Sequence, residues 1–236
     1  MEKIDRRIAY YMVIDTETVN GVKEDPFMYD LGLAICDKRG RIYEERSLVI
    51  ADIYCNEKEL MKSAYYAEKL PKYEKALATG ERELVSIFTA KRIVADLCKK
   101  YNVKAITAHN ACFDERATRQ TIRYVTKSKM RYFLPYGIPL YDTMKMAQDT
   151  ICKQKSYERF VDKNNLRTKS GRIPSNAQAL YCYMADDPTF VEEHQGLDDV
   201  RIEVQILARC LAQHKKMRRL AYLPKKPTMF ELIASL

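Results

Sequence analysis

The chain has 236 residues, of which 47% are apolar and 31% charged, and carries a net charge of +9. That balance suits one large globular domain, or one domain with a short appendage, and excludes wholesale disorder. No apolar run approaches the roughly 18 residues that a membrane-spanning helix needs, so no membrane partner is expected, and the basic excess points to polyanions, nucleic acid first.

Residues 1–7 lead directly into a strand-like run without a signal-peptide apolar stretch, so secretion by that route is not expected. Residues 8–14 (IAYYMVI) are apolar and β-prone, as a strand buried on both faces requires. Residues 31–36 and 42–50 follow, separated by the turn signal Asp37-Lys-Arg-Gly40, and with the first run they predict a three-stranded antiparallel meander. From about 56 to 100 the composition turns helical. Residues 103–108 predict a short buried strand, 114–126 a helix and 138–141 a fifth strand. The polar, basic stretch 151–172 reads as a mobile insert. Val200, Val204, Leu207 and Leu211 form one apolar stripe, which predicts a helix over 198–214. Strands first and strand–helix units later make a mixed α/β sheet. The seven cysteines are odd in number and contain no C-x-x-C pair, so reduced thiols of a cytosol are expected, with neither disulfides nor a zinc ribbon. His109 and Cys112 stand three apart, but two ligands do not make a zinc site.

Three acidic motifs fall where a strand ends or a helix begins, which is where α/β sites assemble. Asp15 and Glu17 follow the most apolar strand; two apart in a strand, they can converge on one face, and close carboxylates call for a divalent cation. A strand end meeting solvent would look the same. Asp114, in His109-Asn-Ala-Cys-Phe-Asp114, falls at a helix start, where an acid also serves as a cap. Phe113 beside it suits a core position or a base stack. The third motif, His194-Gln-Gly-Leu-Asp-Asp199, opens the last helix, and Asp198 and Asp199 could simply cap it.

The order Asp-x-Glu, Asn-x-x-Phe-Asp, His-x4-Asp resembles the DEDD 3′→5′ exonucleases, and His194, five residues before Asp199, resembles the histidine of their DEDDh branch (DnaQ-like, RNase T-like). The resemblance spans about 8–212. It implies an α/β, RNase H-like fold with a five-stranded mixed sheet flanked by helices over 1–214, leaving 215–236 as a basic tail with a short apolar end. It also implies two divalent ions, Mg²⁺ or Mn²⁺, held by Asp15 as the bridging ligand with Glu17, Asp114 and Asp199. His194 is the implied general base, and nucleoside 5′-monophosphates would be released from single-stranded 3′ ends. Thr16, Thr18, Asn110 and Phe113 are the implied substrate contacts; Asn110 also suits a turn. Spacing favours Asp199 over Asp198 as the ligand, and His109 is expected to order its loop. Two departures are Gly196 and Val200, where the family commonly has Ala; Gly196 is expected to loosen its loop.

Basic residues cluster in 151–172, as a track for strand phosphates or a solvated loop, and in 209–226, where a cation-rich helix end explains them equally well. The apolar end, 229–236, is expected to pack on its own domain, with a polymerase-like partner or a second copy of the chain as alternatives. The carboxylates do not discriminate DNA from RNA. A compact, lysine-rich nuclease suits the cytoplasm of a bacterium or a phage-infected cell. Two rival readings stay open: a catalytically silent nucleic-acid-binding or scaffolding domain, and a proofreading or processing subunit active only in a complex.

Overall fold

The run of β-branched and aromatic residues at the start becomes strand β1 (Tyr10–Val19), which continues straight through the acids at 15 and 17. The structure, a computed structural model, describes residues 4–20, 25–64, 68, 70–192, 195–218 and 221–223. β2 (Phe27–Asp37) and β3 (Ile42–Ile50) complete the antiparallel meander. The turn between them needs a positive φ at Gly40 (82°), while Asp37 accepts the Arg39 amide at 2.8 Å.

After β3 the expected helical stretch is broken into pieces: α1 (Ala51–Tyr54), α2 (Lys58–Met61), α3 (Leu70–Thr79), a short strand β4 (Glu83–Val85) and α4 (Ile87–Tyr101). Ser86 caps α4 by accepting the Thr89 amide, and Asn102 ends it in the left-handed conformation. β5 (Ala105–Ala108), α5 (Ala111–Thr126), β6 (Leu140–Asp142) and α6 (Thr143–Asp149) follow. Next come a 3-10 turn (Ile151–Lys153), α7 (Lys155–Lys163), α8 (Ala177–Ala185), α9 (Gly196–Ala212) and β7 (Tyr222–Leu223).

The five expected strands form one mixed sheet, and the two- and three-residue strands β7 and β4 extend its edges, in the order β4-β3-β2-β1-β5-β6-β7. β5 and β6 run parallel to the central β1, so the carboxyl ends of these three strands gather at one edge of the sheet. Along β1 the side chains alternate. Met12 and Ile14 join a core with α4 and α5, and Val13 joins the opposite core with α6 to α9. A third cluster packs α1 to α3 against Val19, Tyr29 and Val49.

The stretch 151–172 is not a mobile insert. α7 buries Tyr157 and Val161 in the core beneath α9, and the Tyr157 hydroxyl donates to the Pro174 carbonyl at 2.9 Å. Part of its positive charge is already matched: Arg167 lies on Asp162 and Glu158, and Lys153 on Asp149. In the second basic cluster Arg218 also meets Asp149, at 2.6 Å. The apolar end 229–236 lies outside the described residues.

Candidate active site

Alternation along β1 decides where its acids point. Asp15 and Glu17 continue the face of Val13, toward α9, whereas Thr16 continues the face of Ile14, toward α5. A β-bulge between Glu17 and Thr18 shifts the register immediately after the acids, the kind of irregularity that re-aims side chains beside a site. α9 brings Asp199 to the same place. Carboxylate oxygens of Asp15, Glu17 and Asp199 lie within 4.8 Å of one another.

Asp114, in the first turn of α5, stands beside this trio. It is 2% exposed, and its Oδ1 accepts the Thr16 hydroxyl at 2.9 Å, which ties α5 to β1. Burial pushes the Asp114 carboxyl up to about 7, against the hydrogen bonds that favour its charged form. Asp15 is held well above the usual carboxylate range, first by burial and then by Glu203, Asp114, Glu17 and Asp199 around it. Such a concentration of buried acid is unfavourable until a cation or protons compensate it. The donors are all hard carboxylate oxygens, which suits Mg²⁺ or Mn²⁺ and not a soft thiophilic metal. The residues present therefore fit a divalent ion.

Asp199 and its neighbour Asp198 separate cleanly. Asp199 is 8% exposed and faces the cluster, whereas Asp198 turns outward to Arg201 at 3.0 Å. His109 is half-buried with both ring nitrogens engaged: Nε2 donates to the Ser175 carbonyl at 2.8 Å and Nδ1 faces Thr143 Oγ1 at 3.1 Å. Burial pushes it down to about 4, so it is neutral at pH 7 with both nitrogens engaged in bracing the loop. Asn110 sits at φ 71°, the left-handed conformation that Asn tolerates, at the N-terminus of α5. Thr18 is buried, and Phe113 is half-buried with the Arg116 guanidinium 5.8 Å from its ring centre. His194 lies outside the described residues.

Two groups were not anticipated from the sequence. Glu203, one turn after Asp199 on α9, is 3% exposed and accepts the His109 backbone amide at 3.1 Å. Burial, followed by Asp114, Asp199 and Glu192, holds its carboxyl well above the usual range. The trace it leaves is an acid at i+4 from Asp199, in the same row as Leu207 and Leu211 of the apolar stripe. The other group is a buried ion pair, Arg82 on Asp30 at 2.7 Å. Tyr73 Oη donates to the same Asp30 oxygen at 2.7 Å, and the Gly196 amide donates to it at 3.2 Å. Arg82 also donates to the Gln195 side chain at 3.0 Å and lies 4.1 Å above the Tyr73 ring. The segment from α3 to β4 thus clasps the start of α9. Gly196 does not loosen this point: a Cβ there would stand 2.7 Å from the Gly32 backbone, so the close approach of α9 to β2 demands glycine. Val200 is fully buried in the core beneath α9.

No protein-family model matches this chain, and no curated protein does. Solved structures do. The nuclease domain of 3'hExo, a DEDDh family member bound to rAMP, superposes with a TM-score of 0.57 at 12% identity, covering 93% of this chain and 98% of that one. A full-length 3'-exonuclease gives 0.56 at 12% identity, covering 94% and 92%. Exonuclease I in complex with the inhibitor BCBP gives 0.53 at 11% identity over 88% of this chain and 42% of that one. At such identities the likeness establishes the fold: an RNase H-like α/β sheet shared with DEDDh exonuclease domains.

Proposed function

We propose that this chain is a metal-dependent 3′→5′ exonuclease acting on single-stranded nucleic-acid ends. The observation that carries the reading is the convergence of Asp15, Glu17 and Asp199 within 4.8 Å, with Asp114 tied to the same strand through Thr16. The fold shared with structures described as exonucleases agrees with it.

When bound, divalent cations would offset the charge of the phosphodiester, make a water more acidic and steady the leaving oxygen. In this reading Asp15 is the central ligand, flanked by Glu17 and Asp199, and Asp114 completes the set. Thr16 holds Asp114 in orientation. Glu203 fixes the loop at His109 from behind, because it accepts that residue's backbone amide. His194 is assigned as the general base: an unperturbed imidazole has a pKa near 6.5, which suits proton removal from water at neutral pH. Asn110, Phe113, Thr16 and Thr18 are the assigned contacts for the terminal nucleotide. The products are nucleoside 5′-monophosphates.

The test uses 5′-labelled single-stranded DNA and RNA of one sequence with Mg²⁺, Mn²⁺ or EDTA, and Asp15→Ala beside the wild type. The reading expects a ladder shortening from the 3′ end that disappears in EDTA and in Asp15→Ala. Intact strands under every metal would overturn it, and retained strand binding would then make the chain a silent nucleic-acid-binding domain.

A further inference from the structure

The helix that delivers Asp114 to the site carries a feature of its own on its outer face. Between Glu115 and Asp142 the chain has no acidic residue, against six Lys and Arg. Four of these, Arg116, Arg119, Arg123 and Lys127, recur at helical spacing along α5, opposite its buried face of Asp114, Ala117, Thr118, Thr121 and Ile122. From Asp114 to Lys127 the stripe is about 20 Å long.

Aromatic rings accompany the cations for its whole length. Arg116 stands over Phe113, beside Asp114, and Lys127 lies 4.1 Å from the Tyr124 ring centre. At the far end Arg123 lies 5.1 Å over Tyr132, which packs edge-on against Tyr136, and Arg131 lies over Phe88 of α4. Lys91 of α4 fixes this loop by donating to the Tyr132 carbonyl at 2.7 Å. Several of the apolar groups are open to solvent: Phe88 is 50% exposed, Tyr136 40% and Met130 70%. Asp25 accepts from Gln120 and Glu57 from Tyr124, while Glu115 pairs with Arg119 at the site end. Beyond that pair, the cations nearest the 130–136 loop, Arg123 and Arg131, stand over rings of that loop and of α4.

We propose that the outer face of α5 and the aromatic 130–136 loop bind single-stranded nucleic acid, as the track for the strand behind its 3′ terminus. The use of that strand as substrate rests on the exonuclease reading; the binding surface does not. Cations neutralise phosphates, and exposed rings offer stacking platforms that every base can use. A folded protein partner would be matched by an apolar patch with a mixed-sign rim, not by a row of cations at helical spacing with rings between them.

The test compares wild type with Arg123→Gln/Lys127→Gln/Arg131→Gln, and with Tyr136→Ala, an exposed change that keeps the question open should the triple variant fail to fold. In EDTA, anisotropy of a labelled strand of about 15 nucleotides should show Kd raised about tenfold or more in the triple variant, with the slope of log K against log salt shallower by about 2. With Mn²⁺, KM for that strand should rise by a similar factor at little-changed kcat, while a dinucleotide too short to reach the loop is cut as by wild type. Unchanged strand affinity and salt slope in both variants would overturn the proposal. So would equal losses on the strand and on the dinucleotide, which would mean that the stripe serves the centre itself. Wild type that binds strands through this face but cuts none keeps the binding surface and removes the exonuclease reading.

Discussion

Asp15 and Asp114 show how burial turns ordinary acids into a cation site. Each is withdrawn from water among like charges, and each is pushed toward the protonated form. The consequence for stability has a definite sign. Asp114 is raised to about 7, so its contribution is fully present below its unfolded value of 3.8 and is lost as pH rises through about 7. Glu192, raised to about 7 by burial, acts in the same direction. His109, lowered to about 4, acts oppositely, but most of its contribution is already gained by its unfolded value of 6.5. Between pH 6.5 and about 8 the two acids titrate in the folded protein and outweigh the remaining part of the His109 titration, so the metal-free protein should lose stability as pH rises. Thermal melts in EDTA should show Tm falling by about 4 °C or more over that window, with Mn²⁺ restoring it. A Tm that is flat in pH and indifferent to the metal would count against the cluster as a cation site. The four acids of the cluster were legible because Asp15 and Glu17 follow the most apolar run of the chain and Asp114 and Asp199 fall in the first turn of a helix. Glu203 was not, because an acid inside a helix reads as solvent-facing until the partner of that face is known.

At the level of elements, the start of α9 decides whether Asp199 arrives. Two devices hold it: backbone contact between Gly32 and Gly196, and the Arg82–Asp30 pair reaching Gln195 and the Gly196 amide. A Cβ at Gly32 would stand 2.1 Å from the Gly196 carbonyl, so Gly32→Ala must push α9 off β2. Denaturant unfolding should show a loss of about 3 kcal/mol. Arg82→Met leaves Asp30 charged and buried without its cation and should cost about 3–5 kcal/mol, part of which Asp30→Asn in the same chain recovers. Additive losses in the double variant would contradict the pairing. Neither device could be read from the sequence, since Asp30 and Arg82 lie 52 residues apart and meet only when α3 and β4 fold across β2. β4 and β7 were too short to leave a pattern. α7 was hidden by its charges, although Tyr157 and Val161, four apart, mark the face it buries.

For the whole molecule, the central strand and its parallel neighbours bring three distant motifs to one edge of the sheet, and that assembly followed from strand order more than from any single motif. Net charge pointed to a polyanionic partner without marking a contact surface. The basic stretch at 151–172 is partly neutralised by its own acids, while the α5 cations, spread singly along a helix, leave no basic run in the sequence. The proposed catalytic centre is the carboxylate cluster, and not acidity in general. The most direct measurement is the initial rate of 3′-end shortening in Mn²⁺ for Asp199→Asn beside Asp198→Asn, the same chemical change one residue apart. Metal-borne charge stabilisation is worth several kcal/mol, so Asp199→Asn should slow the reaction roughly a hundredfold or more while Asp198→Asn stays within about threefold of wild type. Equal rates for the two variants would contradict the account.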